Sequence, residues 1–467
     1  DYNYRNLYFA QVAMSLESSS RFGENADGLS LGGVKWAYYP SVQLGWAISN
    51  EKWFPKTSAL NYFLLKAGYD ITGNDDINNY AARTSFQVMQ YLNNTSVHML
   101  NNIGNDKITY EKTGQWNVGF KSYLLNNRLG VDFNYYQKHT TNLLTLKTFE
   151  NPVAGINNYW SNGGSMDNQG FEVTVTTKPV VSKDFNIELG ASVGHYVNKI
   201  KTLPNDDKLY VDGVKNAQGY TSSIYGTDNI ATIVGQPVGS FYGYKTAGVF
   251  ATDAQAKAAG NNDYLYYLDE TGAKQYFKAG DMHFVDINKD GKIDEADKTI
   301  IGNPNPDIYG NIFGSVMWKN FTLTLGLNYS LGNDVYNYSR SVLESGSNFY
   351  NQTVAMANRW RHEGQVTDMP RLSYGDPMGN ARFSDRWIED GSYLRLKTVN
   401  ISYKVPVKGD WIQGLTIWAE ANNLFTITKY LGSDPEFSAA NGVLYQGIDP
   451  GNVALSRTFT FGMKINL

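Results

Sequence analysis

The stretch Arg457-Thr-Phe-Thr-Phe-Gly-Met-Lys-Ile-Asn-Leu467 decides the fold class. Phe459, Phe461, Met463, Ile465 and Leu467 fall on one face of an extended chain; Thr458, Thr460, Gly462, Lys464 and Asn466 fall on the other. Strict period two specifies a β-strand with one apolar and one polar face. An apolar closing strand that runs to the last residue is expected of an outer-membrane β-barrel, whose apolar face meets lipid and whose polar face meets a wet lumen. One such strand also suits a soluble sandwich, so the rest of the sequence has to separate the two.

The same alternation recurs. Leu129, Val131, Phe133 and Tyr135 alternate with Gly130, Asp132 and Asn134, and Phe171, Val173 and Val175 with Glu172, Thr174 and Thr176. Phe185–Val193, Phe321–Tyr329 and Leu415–Ala419 repeat the pattern. Asn126-Asn127 and Lys319-Asn320 read as tight turns. The phase slips between Leu396 and Val399, which predicts a bulge. Roughly 14 strands follow, with ends defined to within a few residues. Residues 75–107, 199–238, 252–278 and 335–382 lack strand periodicity and are rich in Gly, Asn and aromatics. They read as long outward loops opposite short turns, the asymmetry of a membrane barrel.

Composition leans the same way. The chain is 14% aromatic, with 34 Tyr against 22 Phe and 10 Trp, where a soluble core would favour Leu, Val and Phe. Mean hydropathy is −0.41, and no run of about 18 apolar residues exists, so a transmembrane helix is excluded while barrel strands are not. A net charge of −4 argues against nucleic acid as a partner. The absence of cysteine fits an oxidising compartment.

Several blocks, in order, resemble those of SusC-like (RagA-like) TonB-dependent outer-membrane transporters. Tyr39-Pro-Ser-Val-Gln-Leu-Gly-Trp-Ala-Ile-Ser-Asn-Glu51 is similar to their FPS-x-x-x-x-W-x-I-S-x-E block, and Leu65-Lys66 through Thr72-Gly73-Asn74 to the LK…TGN strand that follows. Tyr110-Glu111 through Asn117-Val-Gly119, Asn168-Gln-Gly170-Phe-Glu172, Glu389–Lys397, Asn423-Leu424-Phe425-Thr426 and Tyr430–Glu436 continue the resemblance over nearly the whole chain. It departs at Ser15–Gly23, at Tyr110 where Trp is usual, and at Leu467 where an aromatic is common. The resemblance implies an all-β fold: an antiparallel transmembrane β-barrel, with residues 1–467 as the C-terminal part of a wall of about 22 strands. On this reading the plug domain and TonB box lie outside the chain. It further implies import of oligosaccharides or peptides, a SusD-like surface lipoprotein as lid, energy from a TonB complex, and dimers of transporter–lipoprotein pairs in the outer membrane.

One motif carries metal chemistry. Asp286-Ile-Asn288-Lys-Asp290-Gly291-Lys292-Ile293-Asp294-Glu-Ala-Asp297 places oxygen side chains at positions 1, 3, 5, 9 and 12 of an EF-hand-type loop. Gly291 stands at the sharp turn, and the Lys292 carbonyl would be the seventh-position ligand. The spacing suits Ca2+ or a similar hard cation; the competing reading is an acidic loop held by Asx turns. Tyr159, Trp160, Tyr242 and Tyr244 are candidate substrate-stacking rings, against a simpler role in girdle or loop packing. The five histidines are scattered, and no nucleophile or phosphate-loop motif occurs, so no catalytic residue is expected. The alternative, a secreted or surface β-rich glycan-binding protein or glycosidase, requires the apolar strand faces to meet in a core.

Overall fold

The computed structural model describes residues 1–55, 57–91, 94–99, 103–153, 156–203, 219–260, 263–407 and 411–466. They fall into two compact units, Asp1–Ser182 with Ile187–Asp206, and Lys183–Asn186 with Asp207–Leu467. Among the described residues no helix is long and apolar enough to cross a membrane.

The first unit is a meander in which each strand is hydrogen-bonded to the next. Its strands are β1 (Tyr2–Tyr4), β2 (Tyr8–Glu17), β3 (Val34–Ala47), β4 (Leu60–Asn74), β5 (Glu111–Leu124), β6 (Leu129–Thr141), β7 (Ser165–Val181) and β8 (Phe185–Thr202). Register lines up like with like. Tyr8, Ala10 and Val12 oppose Trp46, Leu44 and Val42, while Gln11 and Ala13 oppose Gln43 and Ser41. Leu44 and Val42 oppose Ala67 and Tyr69, which oppose Val118 and Trp116. Val118 and Phe120 then meet Tyr135 and Phe133, which meet Phe171 and Val173. The result is one continuous apolar face. Val12 is 71% exposed, Leu44 54% and Val118 49%. A sandwich would bury this face against a second sheet; in a membrane, lipid covers it.

The opposite face is polar, as a lumen requires. Gln43, Lys66, Asn117, Asp132, Asn134 and Glu172 lie on it by register. Lys66 reaches across the intervening strand to Asp132, Nζ to Oδ1 2.6 Å. Gly119 stands opposite Lys66 on that strand, and a Cβ there would sit 2.2 Å from the Phe133 carbonyl oxygen.

The second unit repeats the scheme in β9 (Ile308–Trp318), β10 (Phe321–Leu331), β11 (Tyr393–Val405), β12 (Gly414–Thr428) and β13 (Thr458–Asn466). Leu415, Ile417, Ala419 and Ala421 oppose Ile465, Met463, Phe461 and Phe459, and Phe461 is 77% exposed. The decisive stretch is thus a two-faced strand with an uncovered apolar side. The expected bulge is present: Lys397 is skipped where Gly326 and Leu327 pair with Thr398 and Leu396.

Connections alternate in length. Residues 125–128, 182–184 and 319–320 are tight turns, with left-handed backbone at Leu125, Asn126, Asn127 and Lys319. Rings gather beside them: Tyr62 with Tyr123, and Phe321 with Trp318 and Tyr403. The long connections depart from the expectation of unstructured loops. Residues 75–107 contain the hairpin Phe86–Tyr91/Asn94–Met99. Residues 252–278 contain the helix Asp253–Ala259, capped by Thr252 Oγ1, and the pair Tyr266–Leu268/Lys274–Tyr276. Residues 335–382 contain the helix Tyr338–Leu343. Part of the predicted loop 199–238 lies outside the described residues.

Candidate functional site

The best-packed part of the second unit lies in its long connections. Phe250, Leu265, Phe277, Met282, Phe284 and Ile293 form one core, joined by Met378 from the connection before β11. Ile230, Phe241, Tyr336, Trp387 and Ile448 form another, which draws together the segments before β9, between β10 and β11, and between β12 and β13. These segments fold as one layer because each contributes rings too few to bury alone.

Charged side chains pin the layer to the strands, and most belong to the recognised blocks. Arg395, 2% exposed, donates to Asp434 and has Nε 3.1 Å from Glu436 Oε2. Lys397, presented by the bulge, reaches Glu436 Oε1 at 3.2 Å. Asp434 also accepts the amides of Glu436 and Leu455 at 2.9 Å each. Glu389 accepts from Arg340 and from the Leu431 amide at 2.9 Å each. Tyr430 donates to Asp449 at 2.6 Å; burial first, then that bond, pushes its phenol well above the usual range. Asp281, fully buried, takes a bidentate Arg371 at 2.7 and 3.0 Å and Asn380 at 3.0 Å. The shared blocks near the end of the chain thus hold the long connections in place.

The predicted stacking rings are placed differently from one another. Tyr242 is 1% exposed in a core with Ala231 and Ile233, and Tyr244 is 7% exposed. Both are enclosed by packing, so neither ring is offered to a ligand in this structure; the Tyr–Gly–Tyr spacing reflects a short strand buried on both faces. In the first unit Trp160 packs half-buried against Ile77, Ala81, Ala82 and Ile108, and Tyr159 is likewise half-buried. Sequence reasoning passed over the rings that are presented. Phe349 (90% exposed) and Tyr374 stack at 4.9 Å beside exposed Tyr350. Their only signal is an aromatic pair in a Ser/Gly/Asn-rich segment.

In the acidic loop, Asp286 accepts the amides of Lys289 and Gly291 at 2.6 and 2.7 Å. Asn288 accepts that of Asp290, and Asp290 that of Lys292. The Lys292 ammonium pairs with Asp294 at 2.5 Å. Asp297 accepts the Ile287 and Asp294 amides, and burial pushes its carboxyl up. Among the described residues no three carboxylate or imidazole groups are grouped to hold a metal.

Strands with an uncovered apolar face, a polar opposite face and a folded layer on one edge define the wall of an outer-membrane barrel. The comparisons agree. The chain is 28% identical over its whole length to TonB-dependent receptor P3 of Formosa agariphila, covering 44% of it. It is also 28% identical over its whole length to TonB-dependent receptor SusC of Bacteroides thetaiotaomicron, covering 43%. The structure of the RagAB peptide transporter matches 98% of this chain and 46% of that one, with TM-score 0.76 at 22% identity, a likeness of fold. No family model matches. Over its whole length the chain is similar to TonB-dependent receptors, SusC among them, and its fold is that of an outer-membrane β-barrel. It spans less than half the length of the curated relatives it matches.

Proposed function

We propose that residues 1–467 form the C-terminal barrel part of an importer that moves oligosaccharides or peptides across the outer membrane, driven by a TonB complex. The plug and the TonB-binding segment are assigned to sequence outside this chain. The observation that carries the reading is the two-faced register running strand to strand, apolar and uncovered on one side, polar on the other. This register counts against a sandwich-type glycan-binding protein or glycosidase, whose apolar strand faces would meet one another.

A SusD-like lipoprotein lid is the proposed partner at the long connections. Exposed Phe349, Tyr350, Val354, Val366 and Tyr374 offer it apolar area on a folded support. The relatives named as receptors and the neighbour named as a peptide transporter support transport, and the proposal includes no catalytic residue.

The test is isolation of the native polypeptide in detergent, with intact mass, N-terminal sequencing and identification of co-purifying lipoproteins. A species roughly twice this mass, bearing an upstream plug and a bound lipoprotein, is expected. Release of the chain without detergent overturns the barrel reading. Growth of a deletion strain on peptides against glycans then assigns the substrate class.

A further inference from the structure

The outward apolar face of the first unit ends differently at its two edges. Toward the long connections it closes with Trp116, Tyr135 and Phe171; Trp116 and Tyr135 lie 5.6 Å apart, and Phe171 lies 5.7 Å from the His195 ring on β8. Further along the same face come His139 on β6, Asp167 on β7, and Lys199 and Lys201 on β8. His139 stands directly opposite Asp167. The Asp167 carboxylate takes His139 Nδ1 at 2.6 Å and Lys201 Nζ at 3.4 Å, while Lys199 remains exposed. Toward the short turns the same face of β5–β7 runs through Ser122, Leu124, Leu129 and Thr177, none of them charged.

Depth fits a headgroup. Asp167 lies four residues beyond Phe171, about 13 Å along the strand and about 10 Å in depth at the usual barrel tilt. That is past the apolar band and level with polar lipid groups. Two lysines exceed the single carboxylate in charge, and Asp167 spaces the imidazole and one ammonium side by side as donors. Such a donor set suits phosphate oxygens.

We propose that His139, Asp167, Lys199 and Lys201 form a binding site for the phosphate groups of an anionic lipid headgroup in the outer leaflet. The proposal rests on the reading that this face meets lipid. On β5–β7 the charge on this face lies at the long-connection edge, continuous with the lipid-facing band, and that continuity selects a lipid rather than a soluble ligand.

The test uses the full-length protein in nanodiscs holding a phosphorylated glycolipid or its dephosphorylated form, with retained lipid counted by native mass spectrometry. Each basic residue removed at a charged membrane surface is expected to cost about fivefold in retention, so Lys199→Gln with Lys201→Gln costs about 25-fold. Asp167→Asn is expected to increase retention of the phosphorylated lipid, and the dephosphorylated lipid should not distinguish the variants. Unchanged retention in the lysine variant overturns the site, as does displacement of the lipid by millimolar inorganic phosphate. Each variant must stay detergent-dependent and heat-modifiable; loss of that behaviour in the unmodified protein would instead refute the barrel.

Discussion

Replacing Val12 by Arg separates a lipid-facing wall from a water-facing one. Val12 and its neighbour Gln11 are both exposed, on opposite faces of β2. If water covered both faces, arginine at either position would change stability by no more than about 0.5 kcal/mol, as for ordinary surface sites. In a membrane the two positions diverge. Val12 lies four residues beyond Tyr8, which stacks with Trp46 in the aromatic belt by the short turns. That is about 13 Å along the strand and about 10 Å in depth, close to the middle of an apolar band about 25 Å tall. Arginine near the midplane of a barrel's lipid face costs about 2–4 kcal/mol. At 1.4 kcal/mol per tenfold, this is roughly a 30- to 700-fold loss in the folded-to-unfolded ratio. The assay is urea-dependent insertion of the full-length protein into phospholipid vesicles, read by heat-modifiable migration on gels. Val12→Arg should shift the midpoint strongly and Gln11→Arg hardly at all. Equal small effects at both positions would refute the assignment of the apolar face to lipid.

Three further outcomes follow from the layer above the strands. Asp434→Ala strands the buried Arg395 beside Glu436 alone and removes the acceptor for the Glu436 and Leu455 amides. Breaking a buried pair costs about 3 kcal/mol, so hydrogen exchange at those amides should accelerate roughly 100-fold; unaltered exchange refutes the pinning role. Asp269, at the turn of the Tyr266–Leu268/Lys274–Tyr276 hairpin, has its carboxyl held down to about 2, first by the Thr271 hydroxyl, then by Gln275 and the Ala273 amide. A depressed carboxylate stabilises above its unfolded pKa, and that stabilisation is lost as pH falls from about 4 through about 2. Protection of this hairpin should therefore decline over that window in the native protein and show no such step in Asp269→Asn. For the 286–297 loop, Ca2+ at 100 times its dissociation constant would add about 2.7 kcal/mol of local stability. This would appear as slowed exchange over residues 286–297, abolished in Asp286→Asn; no slowing at millimolar Ca2+ would assign the loop to Asx turns alone.

The strands were readable because a wall between lipid and water forces period two on every spanning segment. Leu129–Tyr135, Phe171–Thr176 and Phe321–Tyr329 each lie inside a strand, and even the phase slip at Lys397 marks a bulge. The layer above was unreadable for a related reason. Its strands run for two to five residues, and some, as at Ser240–Tyr244, are buried along their whole length. No alternation survives there, and a Tyr that buries its ring looks the same in sequence as one that presents it. Tyr242 and Phe349 have the same kind of Gly-rich surroundings yet lie at opposite extremes of exposure. The pinning groups were visible as shared blocks, but their geometry was hidden because Arg395 and Asp434 are 39 positions apart and meet only once β11 and β12 have paired. The acidic loop shows the limit from the other side. Its spacing is explicit in sequence, but a carboxylate that accepts an amide keeps lone pairs for a cation, so the cation and Asx-turn readings share one spacing. Here Asp286, Asn288 and Asp290 each accept at least one amide. In a barrel of this kind the sequence records which face meets which solvent, whereas ligand-facing geometry is set by loop packing that carries no periodic trace.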